Sequence, residues 1–434
     1  MKNINIGIVG LGTVGGGAVQ ALIEKRKMIE AKTGFSLNLL KVFDKDATKV
    51  KSLKLLKSKK AKSVNEVLDN DEIDIVVELI GGVHPAREII LKAIANGKHV
   101  VTANKALLAE CGNEIFTKAL KEGRCVGFEA SVCGAIPIIK TLKQSFAANK
   151  ISALYGIVNG TSNFVLSKMA EDDYSLKKAL SEAKKRGIAE SDPTVDLEGI
   201  DSSHKLAILA TLCFGGIIKL KDIYVEGIKQ VEAQDIVYAR AWGHDVKLLA
   251  IAKKHGNSLQ LRVHPTLIPL KHLLSNVKYE DNAVFVKGDM IGESMLYGKG
   301  AGRMPAASSV LSDIVDIARK VNSLGVESAC ASDNLWVKKE ELNKISQIGD
   351  LMSRYYIRIS AIDRPGVLAG VSTILAKNGI SIANVSQKER KKDQVVPIAM
   401  FTHDAKESSM MRALKAIDKL SYIKKKSVRI RMER

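Results

Sequence analysis

Across residues 1–130, short runs of β-branched and other apolar residues alternate with longer amphipathic stretches. Ile4–Val9, Leu37–Phe43, Ile73–Leu79, His99–Thr102 and Cys125–Phe128 read as strands. Between them, Gly15–Lys32 and Pro85–Asn96 repeat their apolar residues every three or four positions and read as helices. This alternation predicts an α/β domain with a parallel sheet covered by helices on both faces.

The pattern changes after residue 130. Asn163–Ala170, Ser175–Arg186, Ser202–Phe214 and Asp235–His255 carry helical periods, and Leu259–His264 and Ala283–Lys287 read as strands. Residues 131–345 therefore predict a second, α+β domain. A helix starting near Pro305 and running through residues 305–322 is expected to return to the first domain. Residues 330–352 have no strong period and read as a linker. Within 350–434, Tyr355–Ala361, Gly366–Lys377, Ile380–Ser386, Val395–Thr402, Ser408–Leu420 and Ser427–Met432 alternate in the order βαββαβ, a ferredoxin-like third domain.

Composition narrows the class. With 434 residues, 46% hydrophobic and 26% charged, the chain is long enough for two or three cores and is not of disordered type. The longest apolar run, Leu206–Ile218, spans 13 residues, fewer than the roughly 18–20 that cross a bilayer. No secretory leader is evident, so a cytoplasmic protein is expected. The cysteines (Cys111, Cys125, Cys133, Cys213 and Cys330) are odd in number and never in a CxxC pair, so reduced thiols are expected.

Net charge is +20, concentrated in two places. Residues 350–434 hold 18 basic and 8 acidic residues, and residues 41–62 hold 9 lysines against Asp44 and Asp46. Aromatic residues are only 5%, and the lysine runs lack interleaved rings that stack on bases. A solvated basic face is the reading preferred over a nucleic-acid surface.

Gly10-Leu11-Gly12-Thr13-Val14-Gly15 follows the first strand directly and opens the first helix. That context turns a weak GxGxxG match into a Rossmann fingerprint: Gly10 for the tight turn, Gly12 for close approach of a pyrophosphate, Gly15 for helix–strand packing. Asp44 closes the second strand, where a carboxylate binds the adenosine ribose hydroxyls and repels a 2′-phosphate. Lys45 and the lysines from 49 to 62 pull towards NADP. The reading leans slightly to NAD.

Asp201 and Lys205 open one predicted helix a turn apart, either as an i,i+4 ion pair or as a proton-transfer pair facing a cleft. Glu190, Asp192, Asp196 and Glu198 crowd the loop around Pro193, which calls for a cation or an ammonium group unless the loop is simply solvated. Lys105 follows a strand where a doubly wound sheet presents its crevice. Glu129, beside the Gly- and Pro-bent run Ser131–Pro137, could hold a hard cation. Cys133 has no evident activating histidine and reads as inert.

The run from Ala183 to Lys205, AKKRGIAESDPTVDLEGIDSSHK, closely resembles the signature of the homoserine dehydrogenase family. GLGTVGGG at 10–17, GKHVVTANKALLA at 97–109, FEASVCGAIPIIK at 128–140, NGTSNF at 159–164 and YGKGAG at 297–302 agree with it. Asp363-Arg-Pro-Gly366 with NGISI at 378–382 resembles an ACT domain. The resemblance implies NAD- or NADP-dependent interconversion of L-aspartate 4-semialdehyde and L-homoserine, on the route to threonine, isoleucine and methionine. It implies Lys205 as proton donor, Lys105 as a second candidate, and Asp201 as the group that helps to orient substrate and Lys205. Glu190 would bind the substrate ammonium, with Asn159, Gly160 and Thr161 lining the site. Cofactor contacts would fall on Gly10, Gly12, Thr13, Val14, Gly15, Asp44, Thr102 and Lys105. A sodium site would use Glu129 and the carbonyls of Val132, Gly134 and Ile136. The ACT module implies L-threonine feedback near Gly366 and Asn378. Its pairing, with dimerisation through the middle domain, implies a homodimer or homotetramer with no nucleic-acid or membrane partner.

Two departures stand out. Many members carry an arginine before the acidic residue that closes the second strand; this chain has Phe43, which weakens the NADP case. The glycine-rich step after Ser131 is here Cys133-Gly134-Ala135. A phosphorylating semialdehyde dehydrogenase would need an activated cysteine where this chain offers lysines. A catalytically inactive ACT-containing regulatory protein is the alternative from another class.

Overall fold

The computed structural model describes residues 3–53, 55–323, 344–387 and 394–433. The chain divides into two compact units: the described residues of 1–154, 204–222 and 282–342, and those of 155–203, 223–281 and 343–434.

In the first unit, five parallel strands lie in the order Ser36–Phe43, Asn3–Val9, Ile75–Glu78, His99–Thr102, Val126–Gly127. Register pairs Ile6 with Ile75 and Val100 with Val126. The chain leaves Asn3–Val9 to one side and then returns to the other, so the carboxyl end of that strand is the switch point where doubly wound sheets bind ligands. The helix Arg303–Ser323 belongs to this unit, and Val310, Ile314 and Ile317 share a core with Ile6, Ile8, Val19 and Leu22. Small residues admit it. A Cβ on Gly17 of the helix Thr13–Thr33 would lie 2.7 Å from the Arg303 carbonyl. The last glycine of GLGTVGGG is thus spent on helix packing.

His99 begins its strand fully buried, and its Nδ1 accepts the Cys125 N–H at 3.0 Å. Burial, then the nearby Arg124 charge, push its pKa down to about 4. The folded form stays neutral while the unfolded chain takes a proton near pH 6.5, so this stabilisation is complete above 6.5 and fades as pH falls towards 4. We expect about 2 kcal/mol to be lost between pH 6.5 and 5. Urea midpoints across that range should fall less steeply in His99→Gln than in the wild type.

The second unit holds the strand order His244–His255, Ser258–Pro269, Ile423–Met432, Met352–Ile362, Val395–Thr402, Ile382–Gln387. Residues 352–432 keep the βαββαβ order, with helices Val367–Lys377 and Glu407–Ile417. Their core gathers Tyr355, Ile357, Val371, Leu375, Met410 and Ile417. The last strand also pairs in parallel with Ser258–Pro269, through Arg431 beside Thr266 and Met432 beside Leu267. The C-terminal sheet and the sheet of the middle segment are therefore continuous.

Four expectations are corrected. Asp235–His255 is not one helix: Ala233–Ala241 is helical, and His244–His255 is a strand. Gly243 at φ 76° breaks the chain between them, and the strand is buried on both faces, which erases the period-two signal. Cys125 is disulfide-bonded, against the expectation of reduced thiols throughout. Cys111, Cys133 and Cys213 are in no disulfide, and Cys330 lies outside the described residues. The 330–352 stretch is not wholly linker. Its part up to 343 lies outside the described residues, while Lys344–Ile345 pairs with Ser258 and Leu259. The Cys125–Phe128 strand shortens to Val126–Gly127. Among the described residues no helix is long and apolar enough to cross a membrane.

Candidate active site

The glycine loop sits at the switch point. Gly10 has φ 96°, and a Cβ there would strike the Leu79 carbonyl at 2.6 Å; a Cβ on Gly15 would lie 1.9 Å from the Gly10 oxygen. Gly12, by contrast, caps the helix Thr13–Thr33 and faces open space. An anion can therefore approach the backbone there, at the positive end of the helix. The loop borders a cleft of about 540 Å³ lined also by Phe43, Asp44, Lys45, Lys49, Ile80 and Lys92.

Asp44 is anchored by two amides: Oδ2 accepts Leu11 N–H at 2.6 Å and Oδ1 accepts Asp46 N–H at 2.8 Å. Its charge is thereby pinned against the glycine loop. Of the lysines from 49 to 62, Lys49 lines the cleft, whereas Lys59 turns its Nζ to the Leu39 carbonyl at 2.6 Å.

Thr102 is fully buried, and its hydroxyl donates to Glu78 Oε2 at 2.7 Å. Glu78 accepts the Ile80 and Gly81 amides on its other oxygen, so this buried carboxylate shapes the 79–82 loop along the cleft. Burial raises its pKa, against the Thr102 hydroxyl and the two amides. The pattern-based reading missed Glu78; its signal is an acid ending the otherwise apolar strand Ile75–Glu78. Lys105, half-buried, opens the helix Lys105–Lys121, whose cap Asn104 accepts Leu107 N–H and donates to the Gly82 carbonyl.

In the second unit, Asn159 is a hub. Its Oδ1 caps the helix Gly160–Glu171 at Ser162 N–H, and its Nδ2 donates to Asp196 Oδ1 at 2.7 Å and to Asp201 Oδ2 at 2.8 Å. Gly160 lets the turn approach the Glu280 carbonyl, 2.8 Å from where a Cβ would stand. The Thr161 hydroxyl donates to the Ile188 carbonyl at 3.1 Å, two residues before the exposed Glu190. Asp201 is buried at the start of the helix Ile200–Phe214; one turn on along the same helix, among residues 204–222 that group with the first unit, comes the half-buried Lys205.

The four carboxylates around Pro193 do not gather. Asp192 caps the turn through Thr194 N–H and Oγ1, and the hydroxyl and then the amide lower its pKa. Glu198 pairs with Lys229 at 2.6 Å, and Asp196 goes to Asn159. Among the described residues no group of three His, Cys, Asp or Glu side chains could hold a metal. Asp196, read from sequence only as part of an acidic loop, is the residue the geometry adds to the site.

Family models match on both sides of this arrangement: "Homoserine dehydrogenase, NAD binding domain" over residues 10–129, "Homoserine dehydrogenase" over 137–315 and "ACT domain" over 355–421. The homoserine dehydrogenase of Neisseria gonorrhoeae is 42% identical over 100% of this chain and 99% of its own length. The chain belongs to the homoserine dehydrogenase family. That of Pseudomonas aeruginosa is 43% identical over 100% and 99%. The crystal structure of a homoserine dehydrogenase from Thiobacillus denitrificans has a TM-score of 0.92 at 43% identity, covering 100% of this chain and 99% of that one. A hyperthermophilic archaeal homoserine dehydrogenase in complex with NADPH has a TM-score of 0.63 at 27% identity, over 73% and 98%. The chain is thus an oxidoreductase with homoserine dehydrogenase function and a dinucleotide-binding domain, and the inactive regulatory alternative is not favoured.

In this homoserine dehydrogenase, Glu129 is 1% exposed, and its carboxylate accepts Ile139 N–H at 2.7 Å and Lys140 N–H at 2.9 Å. Burial raises its pKa. Cys133 and Gly134 take φ of 56° and 51°, so the cysteine holds the left-handed turn that a glycine would take more easily. A Cβ on Gly134 would meet the Gly300 backbone at 2.7 Å, and its carbonyl accepts the Ser309 hydroxyl. Val132 and Ile136 are buried beside it. Asp313, from Arg303–Ser323, accepts the Glu129 N–H at 2.8 Å. Its pKa is pushed up to about 7, chiefly by burial.

Gly366 and Asn378 are not brought together within one copy. They cap opposite ends of the helix Val367–Lys377, about 18 Å apart along its axis. The Asn378 amide is engaged on the Ile374 carbonyl.

Proposed function

We propose that this enzyme interconverts L-aspartate 4-semialdehyde and L-homoserine, with Lys205 transferring the proton to and from the carbonyl oxygen. The observation that carries the reading is the Asn159 hub, which fixes Asp201 at the start of the helix bearing Lys205. An ammonium supplies both a proton and charge stabilisation to an aldehyde oxygen that gains hydride. Glu190 would bind the substrate ammonium, and Lys105 is the second candidate acid. The nicotinamide cofactor, held along Gly10–Gly15 and Asp44, supplies the hydride.

NAD is the proposed preference, since Asp44 meets the position of a 2′-phosphate with a fixed negative charge. Lys45 and Lys49 in the same cleft, and the NADPH bound by the archaeal relative, favour the other cofactor. Parallel assays on wild type and Asp44→Ser decide between them. The variant is expected to lose about tenfold in kcat/KM with NAD, the equivalent of one or two hydrogen bonds to the ribose, and to gain with NADP. Equal use of NAD by both proteins would dismiss the role of Asp44.

A buried carboxylate followed in the chain by the carbonyls of a Gly- and Pro-bent run offers oxygen donors, which suit a hard cation. We therefore read Glu129, with the Val132, Gly134 and Ile136 carbonyls, as a sodium site. The working domains are taken as 1–130 with the helix near 305–322, 131–345 and 350–434. A cytoplasmic homodimer or homotetramer is the proposed form. Because Gly366 and Asn378 lie at opposite helix ends, L-threonine contacting both would need two copies of the C-terminal module.

A further inference from the structure

Arg431 reaches from the last strand of the C-terminal module into the middle segment. Its Nη1 donates to Glu226 Oε2 at 3.1 Å, while Nε and Nη2 bind Glu407 at 2.9 and 2.7 Å. Arg431 is 1% exposed and Glu407 fully buried. Tyr224 OH donates to the same Glu226 oxygen at 2.7 Å, Arg429 Nη2 lies 3.5 Å from it, and Gln230 binds the other oxygen. Glu226 is therefore held from four side chains, two of which come from the C-terminal module.

The backbone around Glu226 is wedged against the substrate turn. Glu226 N–H donates to the Val263 carbonyl and Ile228 N–H to the Leu197 carbonyl, both at 2.8 Å. A Cβ on Gly227 would lie 2.2 Å from the Leu197 oxygen and 2.6 Å from Glu198 Cα, so no space remains between the segments. Leu197 sits between Asp196 and the turn at Gly199, φ 81°, that launches the Asp201 helix. Asp196 and Asp201 are the two carboxylates that Asn159 joins.

We infer that Glu226 is a positioning residue: clamped by Arg431 and Arg429, it makes the C-terminal module part of what holds the Asp196–Asp201 turn in register for substrate. The inference rests on the reading of that turn as the homoserine site. Packed backbone transmits small shifts because it has no slack, and displacement of about 1 Å at a reacting group costs up to about a hundredfold in rate.

The test compares Glu226→Gln with Asp235→Asn in the full-length enzyme. Each removes one carboxylate charge from the second unit, but Asp235 binds Arg358 and Tyr356 and neither of the arginines that clamp Glu226. Glu226→Gln should raise KM for L-homoserine about tenfold, leaving KM for NAD unchanged and kcat within about threefold, an effect of roughly one lost charged hydrogen bond. Glu407 holds both Arg431 and Arg429, so Glu407→Gln should move KM for homoserine in the same direction. Asp235→Asn should lose at least as much thermal stability yet keep both KM values. Hydrogen exchange over 196–203 should quicken in Glu226→Gln and not in Asp235→Asn, and reads the link without turnover. Tyr224→Phe, a milder loosening of Glu226, should move KM for homoserine in the same direction if Glu226→Gln does not fold. Wild-type KM and exchange in Glu226→Gln, or equal changes in Asp235→Asn, would overturn the inference. A wild type inert towards homoserine would instead sink the functional reading, with exchange still deciding this one.

Discussion

Lys205→Ala is expected to lower kcat for homoserine oxidation by at least about a thousandfold, from the loss of a positioned general acid–base and its charge. Cofactor binding should survive, because the glycine loop and the amides that fix Asp44 lie elsewhere in the chain. Lys205→Arg should not restore the rate: a guanidinium stays protonated and cannot take up the hydroxyl proton of homoserine. Nicotinamide absorbance with L-homoserine, alongside cofactor titration by fluorescence, separates the two effects. Near-wild-type turnover in Lys205→Ala would transfer the proton to another group, Lys105 being the next to test.

The largest effect on stability is expected from Asp235→Ala. Asp235 is fully buried and Arg358 is 2% exposed; Arg358 Nε donates to Asp235 Oδ1 at 2.6 Å, and Tyr356 OH joins the same oxygen at 2.8 Å. Asp235 also closes the capping box of its helix with Glu232. Removing the carboxylate leaves the buried guanidinium to the exposed Glu232 carboxylate at 3.1 Å, a loss of about 3 kcal/mol. The loss should appear as a lower urea midpoint. Arg358→Met in the same background should recover part of it, because an apolar pair of similar volume removes the buried charge altogether. A double variant no more stable than Asp235→Ala would show that capping and the Tyr356 bond dominate.

The lesson of the mispredicted segment is general to two-faced burial. Within Asp235–His255, the residues DVKLLAIAKK from 245 to 254 have no amphipathic period that marks a strand, and only the position of His244–His255 inside a sheet made them one. Likewise the acidic loop reads from sequence as four neighbouring carboxylates. In the structure three of them have separate partners, because Asn159, Thr194 and Lys229 arrive from distant or local chain to meet Asp196, Asp192 and Glu198. Asp196 could not be singled out beforehand, since nothing in its neighbours announces that Asn159 will bridge it to Asp201.

Sequence alone determined what depends on neighbours along the chain. The glycine spacing set the loop, since only a residue without Cβ fits at Gly10 and Gly15. The alternation of strands and helices implied the parallel sheet, Asp201 and Lys205 came one helical turn apart, and long motifs carried the family. Tertiary structure decided whatever depends on distant partners: that Thr102 spends its hydroxyl on Glu78, that Asn159 bridges Asp196 and Asp201, and that Arg431 reaches Glu226. These are hydrogen bonds and charge pairs between residues as many as 205 positions apart. Local pattern carries no record of them, because a polar side chain has the same sequence appearance whether water or a buried partner satisfies it.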